Sequence, residues 1–129
     1  MTIFSKIIAG DIPSYKIAED ENFFAFLDIN PLVNGHILII PKTETDKLYD
    51  LPEKYLQEML VFAQPICHAL EKATGCKRVG MSVIGLEVPH AHLHLLPINE
   101  MEDTNFTNEK LKLSDEEFKD IQQRIIHNL

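Results

Sequence analysis

Residues 89–97 read Pro89-His90-Ala91-His92-Leu93-His94-Leu95-Leu96-Pro97, which sets three of the chain's six histidines at every second position of a short apolar run. A period of two is the repeat of a β-strand, so His90, His92 and His94 share one face while Ala91, Leu93 and Leu95 turn the other way, toward a core. Imidazole pairs badly with hydrocarbon, and each ring nitrogen must find a partner or reach water. A lone histidine is adequately explained as a solvated or satisfied residue, whereas an alternating triplet asks for a function. Two chemistries use such a patch: a metal site built from neutral imidazoles, or a nucleophile or base steered by its neighbours.

Other segments supply partners for that strand. Tyr15 to Glu19 and Phe23 to Leu27 are rich in aromatic and branched residues around the polar Glu19-Asp20-Glu21-Asn22, the pattern of an antiparallel hairpin. The loop Asp28 to Gly35 delivers His36 to the head of the apolar run Ile37-Leu38-Ile39-Ile40, closed by Pro41. His36 becomes a fourth imidazole of the site if this strand lies beside the histidine strand. Val79 to Ile84 reads as a further strand, and Gly85-Leu86-Glu87 as the turn that leads into the triad.

Helices complete the chain. From about Pro52 to Ala73 the residues Leu56, Met59, Leu60, Ala63, Ile66, Cys67, Leu70 and Ala73 recur at three- and four-residue steps, which predicts one long amphipathic helix ending at Gly75. Pro65 inside it is expected to kink or break it. Phe4 to Ala9 predicts a short helix stopped by Gly10, and Ser114 with Glu117 forms a capping box for a last helix with Phe118, Ile121 and Ile125 on its apolar stripe. Asn99 to Asn108 is an acidic surface loop, and His68 and His127 read as solvated side chains. The fold class is α+β, in one domain over residues 1–129.

Composition limits the functions open to this domain. With 45% apolar and 25% charged residues it suits a globular protein that needs no disulfide or structural metal to form a core. No apolar run approaches the roughly 20 residues of a membrane span, and Met1 to Asp11 lacks the blocks of a secretion signal, so a cytoplasmic location is expected. There Cys67 and Cys76 are reduced thiols, and neither belongs to the C-x-x-C of a zinc site. A net charge of -8 with no Lys/Arg stripe argues against nucleic acid and membrane surfaces as partners. A small phosphate compound is still allowed, because local donors can hold one phosphate against an unfavourable overall charge.

The run His90-Ala91-His92-Leu93-His94-Leu95-Leu96 resembles the signature of the histidine triad family, His-φ-His-φ-His-φ-φ with φ apolar. Phe4 through Pro13 is similar to that family's amino-terminal segment, and Asp28-Ile29-Asn30-Pro31 through Gly35-His36-Ile37-Leu38-Ile39-Ile40-Pro41-Lys42 to its nucleotide-binding half. The resemblance implies a meandering antiparallel sheet with one main helix, a two-fold homodimer, and action at the α-phosphorus of purine nucleotides. It makes His92 the nucleophile that forms a covalent nucleotidyl-histidine. His94 and His36 become donors to phosphate oxygens or the leaving group, and His90 orients the patch. Asp28 takes the ribose hydroxyls, with an ordinary turn aspartate as the simpler alternative. Ile29, Phe4 and Ile7 wall the base.

The sequence departs from the family pattern in two places. Before the triad, where many members carry glutamine or glycine-glutamine, this chain has Gly85, Leu86 and Glu87, and no Asn or Gln occurs between Thr74 and Pro89. Ser82 or a backbone N–H near Glu87 stands in for the missing amide, while the Glu87 carboxylate either repels phosphate, binds a cation on the leaving portion or points to water. Some relatives also hold a structural zinc at an amino-terminal C-x-x-C and a later histidine, positions occupied here by Thr2, Ser5 and Glu44, so that zinc is not expected. No cofactor is required, and a divalent cation is left open. Besides a nucleotide hydrolase or transferase, two other readings stand: a nucleotide-binding module of little activity, and a zinc hydrolase using His90, His92 and His94.

Overall fold

The computed structural model describes residues 1–129. Its sheet has five antiparallel strands, β1 (Lys16–Glu19), β2 (Phe23–Leu27), β3 (Ile37–Pro41), β4 (Arg78–Ser82) and β5 (Leu93–Ile98), in the spatial order β1-β2-β3-β5-β4. Three helices cover it: α1 (Ile3–Ala9), α2 (Glu53–Thr74) and α3 (Asp115–His127). This is the expected α+β architecture, with the His36 strand next to the triad strand.

Both faces of the central strands are buried, which is why β2 and β3 read as unbroken apolar runs. Phe23, Ala25, Leu27, Ile37, Ile39, Leu93 and Leu95 point to the main core, against Met59, Ala63, Ile66 and Leu70 of α2 and Phe118, Ile121 and Ile125 of α3. Phe24, Phe26, Leu38 and Ile40 point the other way, where Phe4 of α1 packs on them. A fully buried Phe or Leu contributes roughly 1.5–3 kcal/mol, so both layers hold the sheet, and the thinner α1 layer carries the site. Gly35 makes the turn into β3 at a φ of 96°, and a Cβ there would lie 3.2 Å from Cδ1 of Leu70, so both the conformation and the close approach call for glycine.

The structure corrects four expectations. Only His94 of the triad lies within β5; His90 and His92 precede it, because the ladder to β3 ends at the Ile39–Leu93 pair and the N–H of Ala91 instead donates to the carbonyl of Thr45 at 2.7 Å. The segment stays extended enough to keep the alternation, since Ala91 joins the core while all three histidines are buried on the opposite side. β4 stops at Ser82, leaving Val83 and Ile84 in the loop. α2 is not broken at Pro65, which sits with Val61 on its exposed side, where water can replace the one backbone hydrogen bond that proline cannot make. Finally, Leu56 and Leu60 are 39% and 58% exposed, and Ala69 takes a core place instead.

Candidate active site

Four imidazoles meet beneath α1, and their hydrogen bonds fix where each proton sits. His36 heads β3, where its Nδ1 accepts from the Leu32 N–H at 3.0 Å. A nitrogen that accepts carries no proton, so in the neutral ring the proton is on Nε2, which lies 2.9 Å from Nδ1 of His94. His94 must therefore accept through Nδ1, and its own proton is on Nε2. A second chain runs through His90: its Nε2 donates to the carbonyl of Pro41 at 2.9 Å, and its Nδ1 lies 2.8 Å from Oγ1 of Thr2, which donates to it. The carbonyl of His90 in turn accepts from Nδ1 of His92 at 2.7 Å. Nε2 of His92 is left with a lone pair and no hydrogen bond. No buried side-chain nitrogen or oxygen lacks a partner, so this atom is open to the cleft.

Burial favours the neutral ring at three of these positions, His36, His94 and His90. Desolvation, with the neighbouring His94, Lys110 and His92, pushes the pKa of His36 down to about 3. Burial and then His92 push His94 down to about 4, and burial also lowers His90. Oδ2 of Asp28 lies 3.7 Å from Nε2 of His36, a distance compatible with an ion pair. The depressed pKa of His36 decides against one, because a neutral ring offers no charge to pair. The Asp28 carboxyl is itself pushed up by burial, which outweighs the hydrogen bond that its Oδ1 accepts from the Asn30 N–H at 2.9 Å. Asp28 thus spends one oxygen on its turn and leaves the other at the cleft.

Two adjoining hollows open on His92 and His94. One, of about 210 Å³, is walled by Phe4, Ile7 and Ile29 with Asp28 and Glu87 at its edge, and the Phe4 ring meets that of His92 edge-on at 5.1 Å. The other, of about 260 Å³, is lined by Asp28, His36, Glu87, Phe106 and Lys110. The sequence-derived residues thus converge, although two of them line neither hollow, the first being His90, whose two ring nitrogens are already bonded. Ser82 sits opposite His94 in the ladder and on the same face, yet lines neither hollow.

His90 has no free ring nitrogen, so the three triad rings do not converge on a common metal position. The group that does offer close ligand atoms is Asp28, His36 and His94, all within 4.8 Å of one another. An ion there would have to displace the His36–His94 hydrogen bond. At the positions where some relatives hold zinc, the carboxylate Oε1 of Glu44 accepts from the Thr2 N–H at 2.7 Å and the Ser5 hydroxyl at 2.6 Å, while Thr2 bonds His90. A hydrogen-bonded cluster ties α1 to the triad there.

Sequence reasoning missed Phe106, whose ring packs edge-on to His94 at 4.9 Å, and Lys110. The stretch assigned to an acidic surface loop therefore closes one side of the site. A signal was present, since Phe106 is the lone aromatic residue between Asn99 and Leu113. Pro41 and Thr2, as partners of His90, were equally hidden.

The model of the HIT domain matches residues 9–101. An uncharacterized HIT-like protein of Borreliella burgdorferi is 36% identical over 98% of this chain and 97% of its own. An adenosine 5'-monophosphoramidase of Saccharomyces cerevisiae is 40% identical over 74% of this chain and 61% of its own. Among solved structures, a HIT-like protein of Bartonella henselae superposes with a TM-score of 0.85 at 28% identity, covering 99% of this chain and 96% of that one. With the triad, the fold and these matches in agreement, the chain belongs to the histidine triad (HIT) family.

Proposed function

We propose that the chain is a nucleotide hydrolase or nucleotidyl transferase that acts at the α-phosphorus of a purine nucleotide conjugate through a covalent nucleotidyl-His92. The observation that carries this reading is the 2.7 Å bond from Nδ1 of His92 to the His90 carbonyl, which leaves Nε2 as a free lone pair in the cleft. Nε2 attacks phosphorus as the bond from phosphorus to the leaving group breaks, and Nε2–H of His94 hydrogen-bonds the departing atom or a phosphate oxygen. The modified ring is cationic, and its bond to the His90 carbonyl strengthens as that charge develops. Water or another acceptor then attacks phosphorus, the P–N bond breaks, and neutral His92 returns.

In this reading the free oxygen of Asp28 accepts from the ribose hydroxyls, and Phe4, Ile7 and Ile29 hold the base in the apolar hollow. The phosphoramidase named among the relatives supports a nucleotide conjugate of that kind as substrate. The test is His92→Ala assayed for AMP release from adenosine 5'-phosphoramidate, beside rapid quench of the unmodified enzyme and mass spectrometry of the adduct. Turnover should fall at least about 10³-fold, as expected when a nucleophile is removed. Undiminished turnover eliminates the mechanism.

The homodimer belongs to the same proposal. Leu56, Leu60 and Val61 of α2 and Met81 of the edge strand β4 are exposed apolar side chains on packed neighbouring elements, a surface suited to a second copy. No helix is long and apolar enough to cross a membrane. The free thiols Cys67 and Cys76 suit the reducing cytoplasm.

A further inference from the structure

Residues 105–111 lie beyond the part of the chain that matches the HIT domain, yet they are stitched onto the site. The Leu111 N–H donates to the Pro31 carbonyl at 2.9 Å, which fixes this segment against the loop that carries Asp28. Phe106 then reaches His94, and Lys110 lines the same hollow as His36, His92 and His94. The ammonium group of Lys110 has three donors. Two go to the carbonyls of Phe106, at 2.5 Å, and Asn108, at 3.1 Å. The third is unspent.

In a chain with 20 acidic residues, half-buried Lys110 has no carboxylate within 4.0 Å. Asp28 and Glu87 line the hollow as well, but neither makes an ion pair with the lysine: Asp28 gives one oxygen to the Asn30 N–H and stays beyond 4.0 Å, and Glu87 is exposed. A partly buried ammonium with one donor unspent and no carboxylate in contact has room for an anion. The hollow it lines lies beside the nucleophile and apart from the apolar wall of Phe4 and Ile7. An anion there would be attached to the α-phosphorus on the side away from the base.

We propose that Lys110 is a substrate-binding residue that receives an anionic leaving group, directing the enzyme to nucleotide anhydrides that carry a second oxyanion, a phosphate or a sulfate, next to the α-phosphate. This rests on the nucleotide reading above and narrows its substrate. Electroneutral amine leaving groups gain nothing from this contact, whereas a phosphate or sulfate gains a charge-assisted hydrogen bond.

The test compares AMP with α,β-methylene-ADP, which presents a second phosphate but resists cleavage, by calorimetry on the unmodified chain, Lys110→Met and Lys110→Arg. The unmodified chain should bind the analogue about tenfold more tightly than AMP, as expected of one hydrogen bond to a charged group. Lys110→Met should bring that ratio to within about twofold of unity, and Lys110→Arg should restore most of it. A lysine that merely holds the loop through its two carbonyls would weaken both nucleotides alike, so an unchanged ratio in Lys110→Met overturns the assignment. Should that variant misfold by circular dichroism, the ratio for Lys110→Arg and its loss between 50 and 500 mM salt decide instead, and a salt-independent ratio overturns the assignment. Failure of the unmodified chain to bind either nucleotide would strike the nucleotide reading itself.

Discussion

Lowering the pH from 7 to 5 should destabilise this fold through two of its buried histidines. His36 and His94 are 1% and 7% exposed, and burial holds their pKa values at about 3 and about 4, against 6.5 for an unperturbed imidazole. Below pH 6.5 the unfolded chain takes up protons at these two rings while the folded chain does not. The unfolded state then binds more protons, and stability falls as pH falls. Each pKa unit is worth about 1.4 kcal/mol. The 1.5 pH units between 6.5 and 5 therefore cost about 2 kcal/mol per ring, or about 4 kcal/mol for the pair as an upper bound, because the two rings also penalise each other. His90 acts in the same direction. Asp28 acts in the opposite one, since its raised pKa lets the folded state hold a proton that the unfolded state has released. A domain of this size is stable by about 5–15 kcal/mol, so the loss should be plain in urea unfolding at constant ionic strength. His36→Asn removes one of the two rings and should roughly halve the slope of stability against pH. Equal unfolding free energies at pH 7 and pH 5 would refute the reasoning, and so would an unaltered slope in His36→Asn.

Two further perturbations probe the supports of the site. Thr2→Val keeps the side-chain shape but deletes the donor to Nδ1 of His90; leaving that buried acceptor unpaired should cost about 1–3 kcal/mol in urea unfolding, and kcat should fall more than KM rises, with Thr2→Ser restoring both. Leu60→Glu, at a side chain 58% exposed, should change the stability of a monomer by less than about 0.5 kcal/mol but convert the proposed dimer to monomer in light scattering, and a dimer that persists places the interface elsewhere.

The triad was legible because its period of two needs only local geometry, and the burial of Ala91 beside three histidines on the other face shows that the period survives even where the ladder has ended. His36 was legible through the apolar strand it heads. What the sequence hid is whatever depends on backbone groups brought from afar: the Pro41 carbonyl under His90, the Leu32 N–H under His36, and the Thr45 carbonyl that draws Ala91 out of register. Phe106 and Lys110 were hidden for another reason. A polar segment carries no periodicity, so its docking on Pro31 through a single N–H leaves no pattern to read. The stripe of α2 misled in a third way, because a helix that faces a partner and one that faces its own core show the same spacing, and Leu56 and Leu60 fit either.

The two hydrogen-bonded chains also explain how four neighbouring imidazoles can do different work. One begins at a backbone donor, the Leu32 N–H, passes through two rings and ends in the Nε2–H of His94. The other ends at a backbone acceptor, the His90 carbonyl, which takes the proton of His92 and leaves Nε2 a lone pair. The two rings so defined lie 5.0 Å apart, centre to centre, and present an unprotonated nitrogen and an N–H donor to one cleft. Their roles are set by which backbone group each chain meets, so moving a single backbone partner would reverse which nitrogen of a ring carries the proton. That makes the backbone around Leu32 and His90, more than the identity of the imidazoles, the part of this fold that decides what the triad can do.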